Sequence, residues 1–309
     1  MMTLVDGFGR PLLNLRIAIT KRCNLRCEYC HMEGEAKRDD SAREMTADEI
    51  IRIARIALKL GVSRVKLTGG EPLLREDIAQ IVKSIADLPG LTDLSMTTNG
   101  TRLASMAEEL RVSGLRRVNV TLPTLDGTVY ARLTGGNVAP ALDGVKAAIR
   151  SSLCPVKLNM LMLKGENDEA VPEMMRFASE TGAVLQLIEL EPLNVTDAYY
   201  RTHHRPLDKY EKMLAQKAEK VEVRQHMQNR HVYHLPGVKV ETIRPTENAE
   251  FCEHCTRLRV TSDGRLKPCL MTNDGLVDLL TSMRKDASDE ELARIFRQAN
   301  MNRRPYNKR

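Results

Sequence analysis

Residues 14–30, NLRIAITKRCNLRCEYC, decide how this chain is read. Positions 14–20 alternate polar and apolar side chains, the period-two pattern of a half-buried strand. Three cysteines follow at once, Cys23-x3-Cys27-x2-Cys30, on the loop leaving the strand's C-terminal end. The same unit recurs downstream. Thr46-Ala-Asp-Glu49 is a capping box ahead of the apolar helical period of 50–60, and Gly61 closes that helix. A second strand, 64–68, runs into Gly69-Gly70-Glu71-Pro72 and a helix over 75–87. A third strand, 94–98, precedes Asn99-Gly100 and a helix ending at 113. Strands follow at 117–121, 156–163 and 184–190, with helices over 140–151 and 169–181.

Six strand–helix units predict a parallel sheet with helical crossovers, two units short of a closed eightfold barrel. The expected fold is α/β, a partial, open six-fold β/α barrel, with a doubly wound sheet as the alternative. In either, chemistry gathers at the C-terminal ends of the strands. The cysteine triplet, Gly-Gly-Glu and Thr97-Thr98-Asn99 all sit there. Past residue 191 the repeat stops. A polar stretch over 194–207 leads to a helix near 208–220, then short strands and turns over 221–250. A second triplet, Cys252-x2-Cys255-x13-Cys269, is interleaved with Arg257, Arg259 and Lys267, and Asp263-Gly264 predicts a hairpin turn inside it. An amphipathic helix over 289–300 and a basic run, 303–309, end the chain, the run reading as a solvated tail. The expected division is a barrel over 1–220 and a C-terminal region over 221–309.

Composition narrows the function. The chain has 309 residues, 42% hydrophobic and 28% charged, which excludes a disordered chain. No run approaches the roughly 20 apolar residues of a membrane span. The first 16 residues hold no apolar signal core, so a cytoplasmic protein is expected, with no membrane partner. A net charge of +6 points to an anionic ligand. With no Trp and four Phe, few rings are available for base stacking, so a nucleoside triphosphate fits better than a nucleic acid. Of seven cysteines, six fall in the two triplets, and in a cytosolic chain such clusters indicate metal or catalysis. Three thiolates leave one iron of a 4Fe–4S cluster open to a ligand. A zinc site closed by His31 or His254 as fourth ligand is the competing reading. Cys154 stands alone and is expected to be a small buried hydrophobe.

The joint pattern of CxxxCxxC after strand one, Tyr29 before the last cysteine and Gly69-Gly70-Glu71-Pro72 after strand two resembles the radical S-adenosylmethionine (SAM) enzymes. Over most of the chain, Gly7-Phe8-Gly9-Arg10, Leu15-Arg16, Thr97-Thr98-Asn99-Gly100, Lys157-Leu158-Asn159 and Phe251-Cys252-x2-Cys255-Thr256-Arg257-Leu258-Arg259 look like the GTP 3′,8-cyclase family, archaeal members above all. The resemblance implies a radical SAM barrel with a C-terminal auxiliary-cluster region. It implies two 4Fe–4S clusters, one on Cys23, Cys27 and Cys30 with SAM on its open iron, one on Cys252, Cys255 and Cys269 with guanine on its open iron. Tyr29, Gly70 and Thr121 are then SAM positions. Arg16, Lys66, Thr97, Lys157, Arg257, Leu258 and Arg259 are GTP positions, and Arg257 and Arg259, with the first triplet, are catalytic. The glycines would let the backbone approach SAM closely, and Glu71 would order the loop.

The implied reaction is the first step of molybdenum or tungsten cofactor biosynthesis. A 5′-deoxyadenosyl radical takes hydrogen from C3′ of GTP, and C3′ then attacks C8. Implied partners are a low-potential donor (ferredoxin, flavodoxin or another reductase) and, through the product, cyclic pyranopterin monophosphate synthase. The chain departs from bacterial members at Lys66, at Thr121-Leu122-Pro123, at Glu191 and in lacking a terminal Gly-Gly. The alternatives are another two-cluster radical SAM enzyme acting on a related nucleotide or a peptide, and a zinc-stabilised nucleic-acid module.

Overall fold

The strand at the first triplet is β1, Asn14–Ala18, and in a computed structural model it lies inside a single sheet. The structure describes residues 3–35 and 44–307. The capping box forms as the sequence requires. Thr46 N donates to Glu49 Oε2 at 2.8 Å, and Glu49 N donates to Thr46 Oγ1 at 3.3 Å. These bonds open α1, Ala47–Lys59, whose apolar face is buried from Ile50 to Leu58. The alternation continues through β2 (Arg64–Thr68), α2 (Ile78–Ala86), β3 (Asp93–Thr98), α3 (Leu103–Val112) and β4 (Arg117–Thr121). Then come α4 (Gly127–Thr134), α5 (Val138–Arg150), β5 (Lys157–Met162), α6 (Val171–Thr181) and β6 (Val184–Glu189).

Strands β1 to β6 pair in sequence order and in parallel. Two further parallel strands come from the C-terminal third. After α7 (Asp197–His203) and α8 (Asp208–Lys217), the meander β7 (Lys220–Arg224), β8 (Arg230–Leu235), β9 (Val238–Ile243) places β9 beside β6. After α9 (Ala249–Glu253), β10 (Arg257–Val260) docks in parallel on the other edge, beside β1. The hairpin to β11 (Arg265–Lys267) turns at Gly264, whose φ of +75° suits a glycine, and β12 (Val277–Asp278) extends it. Helices α10 (Leu280–Arg284) and α11 (Asp289–Met301) end the fold. The twelve strands run in the order β12-β11-β10-β1-β2-β3-β4-β5-β6-β9-β8-β7, a sheet that does not close. The open barrel is therefore as expected, widened at both edges. No break in the sheet marks a boundary at residue 220.

Two expectations are corrected. Cys154 is exposed, because Leu153 takes the buried position in the turn before β5. The run 303–309 is solvated only in part over its described residues, with Arg304 and Tyr306 exposed and Arg303 buried. Arg303 is 1% exposed and wraps back on the N-terminal residues, while Lys308 and Arg309 lie outside the described residues. Short α4 and α7 were not legible, since each lies within a polar stretch with no long apolar period. No helix among the described residues is long and apolar enough to cross a membrane.

Candidate active site

Strand pleating puts every second side chain on one face. On the concave face these positions are Arg16, Lys66, Ser95, Thr97, Asn119, Thr121, Lys157, Gln186, Arg257 and Arg259. All line one cavity of about 300 Å³. The cysteines of both triplets line the same cavity, as do Tyr29 and Gly70. Leu258 alternates to the other side and lies wholly buried in the hydrophobic core.

The cavity is cationic by construction. Registers place Arg259 beside Arg16 and Arg16 beside Lys66, so three cations stand in a row on adjacent strands. Like charges directly opposite one another destabilise a sheet unless an anion lies between them. The row carries one nearby anion: Glu33 is 3.5 Å from Arg16 and accepts from Thr68 Oγ1 at 2.7 Å. Burial raises the Glu33 pKa, but Arg16, His31 and Arg259 outweigh it and hold the carboxyl down at about 2. The Arg257 guanidinium has no hydrogen bond or ion pair among the described residues. Burial, then Arg230, Arg16 and Arg259, push its pKa well down. Burial, with Arg117, Arg16, Arg257 and Lys157, does the same to Lys66. Ser95 Oγ, Thr97 Oγ1, Arg230 Nε and Arg259 Nε line the cavity, are buried and lack a partner. Such orphaned donors are costly without a ligand.

A hydrogen-bonded chain spans the cavity floor. Lys66 Nζ donates to Asn119 Oδ1 at 2.8 Å, and Asn119 Nδ2 donates to Gln186 Oε1 at 2.8 Å. Gln186 Nε2 donates to Glu241 Oε2 at 2.5 Å, and Lys157 Nζ donates to the same oxygen. Arg230 and Arg224 stand 3.6 and 3.7 Å from the other oxygen. Burial works against ionisation of Glu241, yet Lys157, Arg230 and Arg224 bring its pKa down to about 2. Burial brings Lys157 down to about 8 against the pull of Glu241. Glu241→Gln leaves Lys157 and Arg230 buried without a full counter-charge, at a cost of about 3–5 kcal/mol near pH 7. A carboxyl depressed on folding stabilises above its unfolded pKa, and that contribution fades as pH falls towards 2. Urea unfolding should therefore show a gap between E241Q and wild type that is full at pH 7 and narrower at pH 4. Sequence reading missed Glu33, Glu241, Asn119, Gln186 and Arg230. For Asn119, Gln186 and Arg230, charged or amide residues on alternate positions of core strands were the available signal.

The first triplet is framed by the Gly-Gly-Glu loop. Gly70 N donates to Thr20 O and Glu71 N to Arg22 O, both at 2.7 Å. A Cβ on Gly69 would lie 2.4 Å from Thr20 O, and one on Gly70 2.3 Å from Arg22 O. The glycines thus let this loop pack on the cysteine loop itself, a closer constraint than room for a ligand. Buried Glu71 accepts from Thr98 Oγ1, Asn99 N and Leu73 N at 2.7–3.0 Å, tying β2's end to β3's. Gly34 makes a parallel contact between loops, where a Cβ would lie 2.6 Å from Leu270 O beside Cys269.

Among the described residues no three His, Cys, Asp or Glu side chains gather closely enough to hold one metal ion. His31 Nδ1 accepts from Glu33 N at 3.0 Å, and His254 Nδ1 lies 3.0 Å from Glu250 O, so both rings are engaged locally. The three thiols of the first triplet fit a 4Fe–4S cluster, which they would hold with one iron left for a further ligand. Burial, with Cys30 and Cys23 close by, pushes the Cys27 thiol up to about 12.

An open parallel barrel with a thiol triplet on the loop after its first strand defines the radical SAM class. The Radical SAM superfamily model matches residues 17–178, and the Molybdenum Cofactor Synthesis C model matches residues 183–309. Streptococcus suis SuiB bound to precursor peptide SuiA shares the fold with TM-score 0.65 at 19% identity, over 88% of this chain and 64% of that one. The chain thus spans under two thirds of that protein's length. Native anSMEcpe with bound AdoMet gives TM-score 0.63 at 15% identity, over 95% of this chain and 84% of that one. A probable GTP 3′,8-cyclase of Thermococcus kodakarensis is 48% identical over 98% of this chain and 99% of its own length. Probable GTP 3′,8-cyclases of Pyrococcus horikoshii and Methanocaldococcus jannaschii are 47% and 44% identical over 98% and 97% of this chain, each over 98% of its own length. The chain belongs to the GTP 3′,8-cyclase family of the radical SAM superfamily.

Proposed function

We propose that this chain converts GTP to (8S)-3′,8-cyclo-7,8-dihydroguanosine 5′-triphosphate, the first step of molybdenum or tungsten cofactor biosynthesis. The observation that carries the substrate is the row Arg259, Arg16, Lys66 with the unpaired Arg257 beside it, in a cavity bordered by both thiol triplets. Cys23, Cys27 and Cys30 would hold a 4Fe–4S cluster and Cys252, Cys255 and Cys269 a second. When bound, the first with SAM supplies one-electron cleavage of the sulfonium and so a hydrogen-abstracting radical.

The chain's own residues do the rest by binding and orientation. Arg16, Lys66, Arg257 and Arg259 offer charge-assisted donors to the triphosphate, and arginine forks match phosphate oxygens in pairs. Lys157 reaches the same anion from a position set by Glu241. Thr97 Oγ1, buried and unpartnered, is a donor for the nucleotide. Tyr29, Gly70 and Thr121 border SAM, where Thr121 supplies a hydroxyl and Pro123 supplies no carboxylate. The product keeps GTP's atom count, so an electron and a proton must enter after C3′ joins C8. A low-potential ferredoxin, flavodoxin or other reductase supplies the electron, and cyclic pyranopterin monophosphate synthase consumes the product.

An anaerobic assay on reconstituted protein with SAM, reductant and GTP tests this. The expected result is GTP-dependent 5′-deoxyadenosine together with a product isomeric with GTP by mass spectrometry. SAM cleavage with GTP left intact would overturn the substrate and leave the class standing.

A further inference from the structure

Residues 5–10 and 300–307 meet behind the second thiol triplet. The Asp6 side chain is fully buried. Its Oδ1 accepts from Phe8 N at 2.9 Å and Arg10 N at 3.0 Å, and its Oδ2 accepts from Arg10 Nε at 2.8 Å. Arg303, from the C-terminal end, places Nη1 3.6 Å from the same Oδ2. The two guanidiniums then diverge. Arg10 Nη1 donates to Cys252 O at 2.8 Å, and Arg303 Nη2 donates to Cys255 O. The assembly is cross-braced, since Arg303 Nη1 also donates to Asn300 Oδ1 at 2.9 Å and Asn300 Nδ2 to Val5 O at 2.9 Å. The tail also reaches sulfur, with Asn307 N donating to Cys252 Sγ at 3.4 Å.

A buried Arg–Asp–Arg triad is weak support for stability as such, because apolar packing of similar volume does as well or better. What the triad fixes is spacing. Its spare donors go to the carbonyls of two thiol residues, one at the end of the five-residue α9 and one just beyond it. We propose that Asp6, Arg10 and Arg303 are positioning residues that hold Cys252 and Cys255 at the separation the auxiliary iron–sulfur cluster requires. The proposal rests on the two-cluster reading above. Arg10 lines the cavity, but its guanidinium is committed to Asp6 and Cys252 O and is not offered to substrate.

Asp6→Asn tests it, since the amide keeps an acceptor for Phe8 N and Arg10 N and removes the charge shared by the arginines. In the reconstituted full chain, about half of the iron in D6N should pass to a chelator at least tenfold faster than in wild type. The GTP-induced change in the reduced protein's electron paramagnetic resonance spectrum should be lost, while the SAM-induced change of the first cluster stays. Arg303→Lys, which keeps a cation but loses the fork, should shift both readouts the same way by a smaller factor. It decides the matter if D6N does not fold. Wild-type iron release and an intact GTP-induced spectral change in both variants would overturn the proposal. Wild-type protein that binds only about four irons would instead sink the two-cluster reading, and the clamp with it.

Discussion

Arg257→Ala is expected to lower kcat/KM for GTP about a thousandfold and to leave the folded protein no less stable. The first effect follows from burial. Truncating a desolvated, hydrogen-bonded charge contact costs about 2–5 kcal/mol, and each 1.4 kcal/mol is tenfold. The second follows from the neighbours. Arg257 sits among Arg230, Arg16 and Arg259, with no ion pair of its own among the described residues, so its removal relieves repulsion. Opposite signs for activity and stability mark a residue kept for its ligand. GTP-independent SAM cleavage should stay within about twofold, because the first triplet is untouched. Arg257→Lys keeps the charge without the two-pronged geometry and should fall between. Steady-state kinetics with a urea denaturation series separate the cases. Turnover within about tenfold of wild type in R257A would remove Arg257 from the site.

Gly70→Ala should abolish SAM cleavage altogether. The new methyl would lie 2.3 Å from Arg22 O and 2.5 Å from Lys21 O, both backbone atoms one or two residues before Cys23. Neither can rotate away as a flexible side chain would, and Glu71 N holds Arg22 O at 2.7 Å. The cysteine loop must therefore shift. Overpacking of this kind costs about 1–3 kcal/mol, which a domain of this size tolerates. Catalysis tolerates it far less, since a misplacement of about 1 Å can cost a hundredfold. The expected protein is folded and yields less than about 1% of wild-type 5′-deoxyadenosine. Wild-type cleavage in G70A would mean that the loop has room which the structure does not show.

Much of this was legible in the sequence, and for a definite reason. Period-two and 3.6-residue patterns are local, so β1 to β6 and most helices between them fall near their expected places. The capping box at Thr46 and the turn at Gly264 are local too, and both form. The concave-face cations Arg16, Lys66, Lys157, Arg257 and Arg259 were named from the family resemblance, and the structure places all five on the cavity wall. Leu258 was carried over by motif alone. It lies between two of these arginines in sequence, and strand alternation turns it into the core. Glu33 and Glu241 gave no such signal, because an acid earns its place only from cations on other strands.

By itself the sequence determined the strand–helix repeat, the two thiol triplets, and the placement of the first triplet on the loop after β1. These follow from residue periodicity and from spacing within a few positions of the chain. Only the tertiary structure decided that β9 and β10 close on opposite edges of the barrel, which brings triplets more than 200 residues apart to one cavity. It also decided that a run of basic residues at the C-terminal end carries a buried clamp, because Asp6 and Arg303 meet across 297 positions and no local pattern encodes their contact. Hydrogen bonds and ion pairs depend on distance in space, and distance along the chain does not report it.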